Sequence, residues 1–422
     1  MLRISFLLLL LAAALGLHAQ SVKKFSPCDK PAEVGFSDTR LSRIDHLLDK
    51  LVTEQKIPGA VALIVRNGKI VYHKAFGFSD IENKTTLKKD DIFRIASQSK
   101  AITSLAVMML WEEGKFLLDD PVSKYIPEFK NPQVLKSFHK NDTTFTKEPA
   151  KREITIRHLL THSSGIDYAV IGSEDFKAIY AKAGIPSGIG NDQGVLADKI
   201  KILGTMPLKH EPGERWTYGL NCDVLGYLVE IWSGMPFDQF LKTRIFDLLG
   251  MTDTYFYLPK SKYNRLVALH GNKGGIVYKM KSAPYDARDP NYPNLQGNYF
   301  SGGAGLSSTV VDYAKFLQLF LNGGEFNGNR LLSRKTIELM LTDQLPDLGN
   351  ESGLGFGLET LKNDYQSPES LGSFSWGGAF STQYWADPKE KLIGLIYTNI
   401  YNNQYGDISD KFKVLTYQAI ID

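Results

Sequence analysis

Strand-forming stretches stand at both ends of this chain, and helical patterns fill its middle. Ala60 to Val65 and Ile70 to Ala75 read as two strands joined at Asn67-Gly68, a dipeptide that suits a tight hairpin. Gly355 to Thr360, Thr382 to Ala386 and Leu392 to Thr398 read as three more. The economical packing is one antiparallel sheet drawn from both chain ends, with the middle inserted between them. The expected fold class is α+β: an antiparallel β-sheet flanked by helices, with an inserted, mainly helical domain. The boundaries read as 20–95 plus 300–422 for the discontinuous sheet domain and 96–299 for the helical one.

The covering helices are legible from their apolar stripes. From Ser37 onward, Leu41, Ile44, Leu47, Leu48 and Leu51 share one face, and Pro58-Gly59 ends the element. Val310 to Asn322, Ser333 to Thr342 and Ile408 to Ile421 give three later helices. In the middle, Ser97 opens a strongly apolar helix that runs to Glu113 and stops at Gly114. Asn221 stands where a cap is wanted for a helix carrying Val224, Leu225, Leu228, Ile231 and Trp232, ended by Gly234.

A content of 43% hydrophobic residues supports a sizeable core. The formal charge of +3, with no run of five like charges, gives no reason to expect nucleic acid or an anionic membrane as partner. Arg3, the apolar run Phe6 to Leu17 and the small residue Ala19 read as a secretory signal peptide over 1–19. The run is shorter than the ~20 residues that span a bilayer, so no stable membrane anchor is expected after cleavage. The location is then periplasmic or secreted. Cys28 and Cys222 are the only cysteines, and Cys222, at an apolar helix start, reads as a packed free thiol.

Three segments carry chemistry. Ser97-Gln98-Ser99-Lys100 places a hydroxyl and an amine at i and i+3, on one helix face. A cation in a first helical turn opposes the dipole, and Ala101, Ile102, Leu105 and Ala106 surround it with apolar groups. Both effects push Lys100 toward the neutral amine that a base requires. The same spacing recurs at Ser21/Lys24 and Ser137/Lys140, so the helix context is what singles out Ser97. Second, Tyr218 stands between the Pro212-Gly213 turn and the helix at Asn221, and beside a lysine its phenol can share a proton. Alone it reads rather as a core or interface aromatic. Third, Ser375-Trp376-Gly377-Gly378-Ala379 precedes a strand, and adjacent glycines let backbone amides approach a ligand, or make a simple bulge.

Together these segments resemble the serine β-lactamase-like superfamily, namely class C β-lactamases, family VIII carboxylesterases and penicillin-binding DD-peptidases. Phe93-Arg94-Ile95-Ala96-Ser97, the stretch Thr155 to Gly165, Gly302-Gly303-Ala304-Gly305-Leu306 and Asp387-Pro388 extend the likeness over nearly all the chain from Ser37. The resemblance implies a site between the two domains. Ser97 is its nucleophile, Lys100 and Tyr218 its proton-transfer pair, and the amides of Ser97 and Ala379 its oxyanion hole. Trp376, Gly377, Gly378, Leu220 and Asn221 are implied around the substrate, a small-molecule ester or amide, with no cofactor and no metal. Two departures point to the esterase branch. The lactamase Tyr-x-Asn reads Tyr218-Gly219-Leu220, with Asn221 one place late, and Lys-Thr-Gly reads Trp376-Gly377-Gly378.

Other classes fare worse. His158 and His162 stand at i and i+4 as zinc ligands can, but Leu159 occupies the place of the metalloprotease glutamate. No Gly-x-Ser-x-Gly string is present for a Ser-His-Asp hydrolase. A β-lactamase, a D-amino-acid peptidase and a non-catalytic scaffold of the same fold remain as alternatives. The loops Asp167 to Gly194 and Leu258 to Phe300 are expected to line the cleft with Tyr168, Tyr180, Tyr285, Tyr292 and Tyr299.

Overall fold

The chain ends meet inside one sheet. A computed structural model describes residues 22–191, 193–285 and 289–422, and the expected signal segment 1–19 lies outside them. Helix α1 (Asp38–Thr53) begins at Ser37, whose hydroxyl accepts from the Arg40 amide, and it buries Leu41, Ile44, Leu48 and Leu51. Strands β1 (Gly59–Arg66) and β2 (Lys69–Asp80) follow as the expected hairpin. Helix α2 (Ser99–Glu112) is buried from Ser99 through Leu110, which is why its sequence is apolar on every side. Helix α3 (Asn221–Ser233) ends at Gly234 in the left-handed conformation.

The C-terminal part supplies α4 (Val310–Leu321), the short β3 (Gly357–Leu358), β4 (Phe374–Gly378), β5 (Thr382–Asp387), β6 (Leu392–Tyr397) and α5 (Ile408–Tyr417). These strands stand in the order β2-β1-β6-β5-β4-β3, antiparallel throughout, with short pieces at Ser26–Pro27 and Thr85–Thr86 added along β2. The closing pair is β1 with β6, from Leu392 opposite Arg66 to Tyr397 opposite Val61.

Strand β1 shows why both faces are covered. Its side chains alternate: Ala60, Ala62 and Ile64 join Leu41, Ile44, Leu48 and Phe412 of the terminal helices. Val61, Leu63 and Val65 face the other way, into a core that holds Phe316 and Leu317 of α4. That second core continues through α2 into Leu225 and Leu228 of α3 and Phe176 and Ile179 beyond, so sheet and helical middle interlock around one interior. Among the described residues no helix is long and apolar enough to cross a membrane.

Three details differ from the sequence reading. The strand expected over 355–360 shrinks to Gly357–Leu358, because Gly355 has φ +99° and a Cβ there would lie 2.5 Å from Ser104 Oγ. Gly377 and Gly378 lie inside a strand instead of before one. A hairpin of Gln133–His139 and Thr144–Pro149 escaped notice, because its outer side chains are mostly Lys, Thr and Glu in water.

Candidate active site

Ser97 sits in a 3-10 turn, Ala96–Gln98, that leads into α2. Ala96 holds φ +43°, a conformation that costs a non-glycine residue of order 1–3 kcal/mol and is retained where the surroundings enforce it. Those surroundings are visible. Tyr313 donates to the Gln98 carbonyl at 2.8 Å, Tyr397 donates to Gln98 Oε1 at 2.6 Å, and the Leu306 amide donates to Ser99 Oγ at 3.1 Å. Strand β4 lies alongside, and a Cβ on Gly378 would strike the Ile95 carbonyl and the Thr382 hydroxyl. Glycine there lets the strand end close on the nucleophile turn, carrying Ala379 with it.

Lys100 is 2% exposed and its ammonium is fully engaged. Nζ donates to the Gly303 carbonyl at 2.7 Å, to the Tyr168 hydroxyl at 3.3 Å and to Ser97 Oγ at 3.4 Å. It also stands 4.6 Å from the centre of the Tyr218 ring. Burial lowers its pKa, while Tyr168, Tyr218 and Cys222 raise it by more wherever they are ionised, so that the balance then lies above the ordinary lysine value. The apolar neighbours in sequence pack elsewhere, while the groups that meet Nζ come from distant segments that no local pattern displays.

Of these groups, Tyr168 is expected from the sequence only in the cleft wall, and Asp223 escaped notice. Tyr168, 2% exposed, is kept protonated by burial, against the pull of Lys100. Asp223, in the first turn of α3, is 0% exposed. Burial pushes its carboxyl up to about 6, with Ser301 and Lys100 drawing it down. Gly303 explains how it approaches: the place a Cβ would take there lies 2.7 Å from Asp223 Oδ2, 3.4 Å from Lys100 Nζ and 3.5 Å from the Tyr168 hydroxyl. Any side chain would fill the gap that lets these charges face each other. A lone acid among Cys222, Val224 and Leu225, five residues after Tyr218, was the available signal.

Behind Tyr218 lies His162, its ring centre 5.0 Å from that of the tyrosine. Its pKa falls to about 3, first through burial and then through Lys100, so the imidazole is neutral. Asn221 Nδ2 donates to His162 Nδ1 at 2.9 Å, which leaves the imidazole proton on Nε2, and Ser164 Oγ donates to Asn221 Oδ1. Asn221 is therefore 0% exposed, is the first residue of α3 and makes no side-chain cap; Leu220, at 1%, is buried with it. Neither reaches the cleft as a substrate contact, because the amide is spent on holding the histidine.

Trp216 stacks on Tyr218 at 5.8 Å, and Trp376 meets it at 6.0 Å on another side. Trp376, His162, Lys100 and Cys222 share the lining of one small cavity, so the structure joins the β4 segment to the serine–lysine turn. Tyr285 packs on Tyr401, their ring centres 5.5 Å apart. The remaining tyrosines do not line a cleft: Tyr180, Tyr292 and Tyr299 are 0%, 3% and 3% exposed and serve the core. Both cysteines are free thiols, Cys222 buried and Cys28 partly exposed.

A half-buried serine hydroxyl bound to a lysine amine, with a phenol ring against that lysine, can transfer an acyl group through a covalent intermediate. Residues 44–418 match the Beta-lactamase family, nearly the whole chain. The chain belongs to the Beta-lactamase family. It is 33% identical over 360 residues to Protein Rv1367c of Mycobacterium tuberculosis, covering 81% of this chain and 85% of that one. It is 29% identical over 400 residues to Esterase EstB of Burkholderia gladioli, covering 90% and 94%. Among solved structures it superposes on EstCE1, a hydrolase with promiscuous acyltransferase activity, with TM-score 0.77 and 25% identity over 90% of this chain and 99% of that one. Simvastatin Synthase (LovD) from Aspergillus terreus gives TM-score 0.75 at 25% identity, over 90% and 98%. This family member is a hydrolase of the serine β-lactamase fold.

Proposed function

We propose that this family member is an exported serine carboxylesterase with Ser97 as nucleophile and Lys100 and Tyr218 as its proton-transfer pair. The observation that carries the reading is the contact of Lys100 Nζ with Ser97 Oγ at 3.4 Å, under the Tyr218 ring. Ser97 Oγ attacks the acyl carbon as the Lys100–Tyr218 pair, in the form with a single proton shared between the amine and the phenol oxygen, takes up the serine proton at the Tyr218 oxygen. The Lys100 ammonium, held by Gly303 and Tyr168, stabilises the charge that moves there. Amides of Ser97 and Ala379 receive the oxyanion. Tyr218 returns the proton to the departing oxygen, and water then repeats the sequence on the acyl-serine. Export rests on the sequence before residue 20, where Arg3 precedes an apolar run.

The substrate reading rests on Trp376, which stands where the lactamase pattern has a lysine. An indole N–H donates without charge. A charge-assisted bond contributes about 1.5–3 kcal/mol and a neutral one about 0.5–1.5, so a carboxylate-bearing β-lactam loses roughly tenfold in recognition. Expected kcat/KM for nitrophenyl acetate or butyrate exceeds that for a chromogenic cephalosporin by well over tenfold. Efficient cephalosporin turnover would contradict the esterase reading while leaving the serine chemistry intact.

Asp223 gives a pH test. Above about 6 its carboxylate faces the Lys100 ammonium, and below it that negative charge is gone. Esterase kcat/KM is expected to fall as pH drops through 6, and Asp223→Asn should remove that acid limb while lowering the plateau roughly tenfold. An unchanged limb in the variant would assign it to another group.

A further inference from the structure

Beyond the two indoles that flank Tyr218 lies a second cavity of about 250 Å³. Trp216 and Trp376 give it aromatic sides, and Glu351, Glu359, Glu369 and Ser373 are among its polar lining. Glu369 is already neutralised: its carboxylate binds Lys413 Nζ at 2.5 Å and accepts from Ser367 Oγ at 2.9 Å. Glu351 and Glu359 have no such cation among the described residues. Glu359 Oε1 is buried without a partner, and so is the hydroxyl of Ser373, a residue 1% exposed. The Glu359 carboxyl is pushed up to about 6, first by burial and then by Glu369, Asp364 and Glu351, with Lys413 opposing them. The cavity therefore holds more negative charge than its own residues satisfy, beside two indoles, a ring type that attracts cations.

Its place relative to the chemistry follows from Tyr218. A residue that returns a proton to the departing oxygen faces the alcohol half of the ester, and the cavity is lined by Trp216 and Trp376, the two indoles packed against that residue.

We infer that this cavity is a subsite for a cationic leaving alcohol, of the quaternary ammonium class, in the ester that Ser97 cleaves; the inference rests on the esterase reading above. The Ser97 Oγ–acyl bond forms, the acyl–oxygen bond to the alcohol breaks, and Tyr218 supplies the proton to the alkoxide. The amino alcohol departs with its positive charge unchanged, and water releases the acid from Ser97.

The test compares acetylcholine with 3,3-dimethylbutyl acetate, which has carbon in place of the charged nitrogen, by pH-stat, with nitrophenyl acetate as reference. Wild type at pH 8 should favour acetylcholine by about tenfold in kcat/KM, within the range of a desolvated cation–π contact. The preference should shrink below pH 6 as Glu359 protonates. In the double variant Glu351→Gln, Glu359→Gln the ratio should fall toward one; measured within each protein, it is independent of the folded fraction. Choline should inhibit nitrophenyl acetate hydrolysis competitively, and 3,3-dimethylbutanol more weakly. Equal rates for the two esters, with nitrophenyl acetate turned over, would overturn the subsite and leave the esterase standing. A preference that survives in the double variant would also overturn it. No turnover of any of the three esters would sink both readings.

Discussion

Ser97→Ala is expected to lower kcat for nitrophenyl acetate by roughly 10⁴-fold or more, the scale of removing a nucleophile that works with its base as a unit. No neighbouring hydroxyl can replace it. Ser99 Oγ is 0% exposed and accepts from the Leu306 amide, and Thr103 is bonded to the Gly302 carbonyl at 2.7 Å. The fold should be untouched, because the turn is held through Gln98 by Tyr313 and Tyr397, not through the Ser97 side chain. Kinetics and thermal unfolding on the same sample separate the two effects. A variant that retains a few per cent of activity would mean that Ser97 is not the nucleophile.

Lys100→Ala and Tyr218→Phe are each expected to cost roughly 10² or more in kcat, within the range of general acid–base catalysis. The double variant should be little worse than the poorer single one, since groups that share one proton fail together. The two singles should differ in stability. Tyr218 is half-buried and loses only a hydroxyl, whereas Lys100 fills a buried place and leaves the Gly303 carbonyl and the Asp223 carboxylate without their cation. A loss of about 1–3 kcal/mol in Lys100→Ala follows from stranding such groups. Additive kinetic losses would show that the pair does not cooperate.

Much of the fold was legible because its elements obey simple periods. The stripe of Leu41, Ile44, Leu48 and Leu51, the Asn67-Gly68 turn and the continuous apolar run of β1 each speak for their own structure. What escaped is set by distant partners. The hairpin at 133–149 has few buried side chains to betray its period. The expected strand after Gly355 is cut short by Ser104 of α2, which lies far earlier in the chain.

The site divides in the same way. Ser97 and Lys100 are neighbours on one turn, so their spacing is readable. The charge state of Lys100 depends also on Tyr168, Tyr218 and Cys222, which arrive from other segments and which a local argument from dipole and neighbours does not include. Asn221 was read as a cap or a substrate contact because position alone suggests both; its amide turns inward to His162 and Ser164 instead. Asp223 and His162 could have been found by asking why a carboxylate and an imidazole sit among apolar residues.

The covalent intermediate is the central claim, and intact-mass measurement tests it most directly. Wild type quenched with acid during turnover of nitrophenyl butyrate should gain the mass of one acyl group, and peptide mapping should locate it on Ser97. Ser97→Ala treated alike should show no added mass. An acyl group on another residue, or one that persists in Ser97→Ala, would contradict the account.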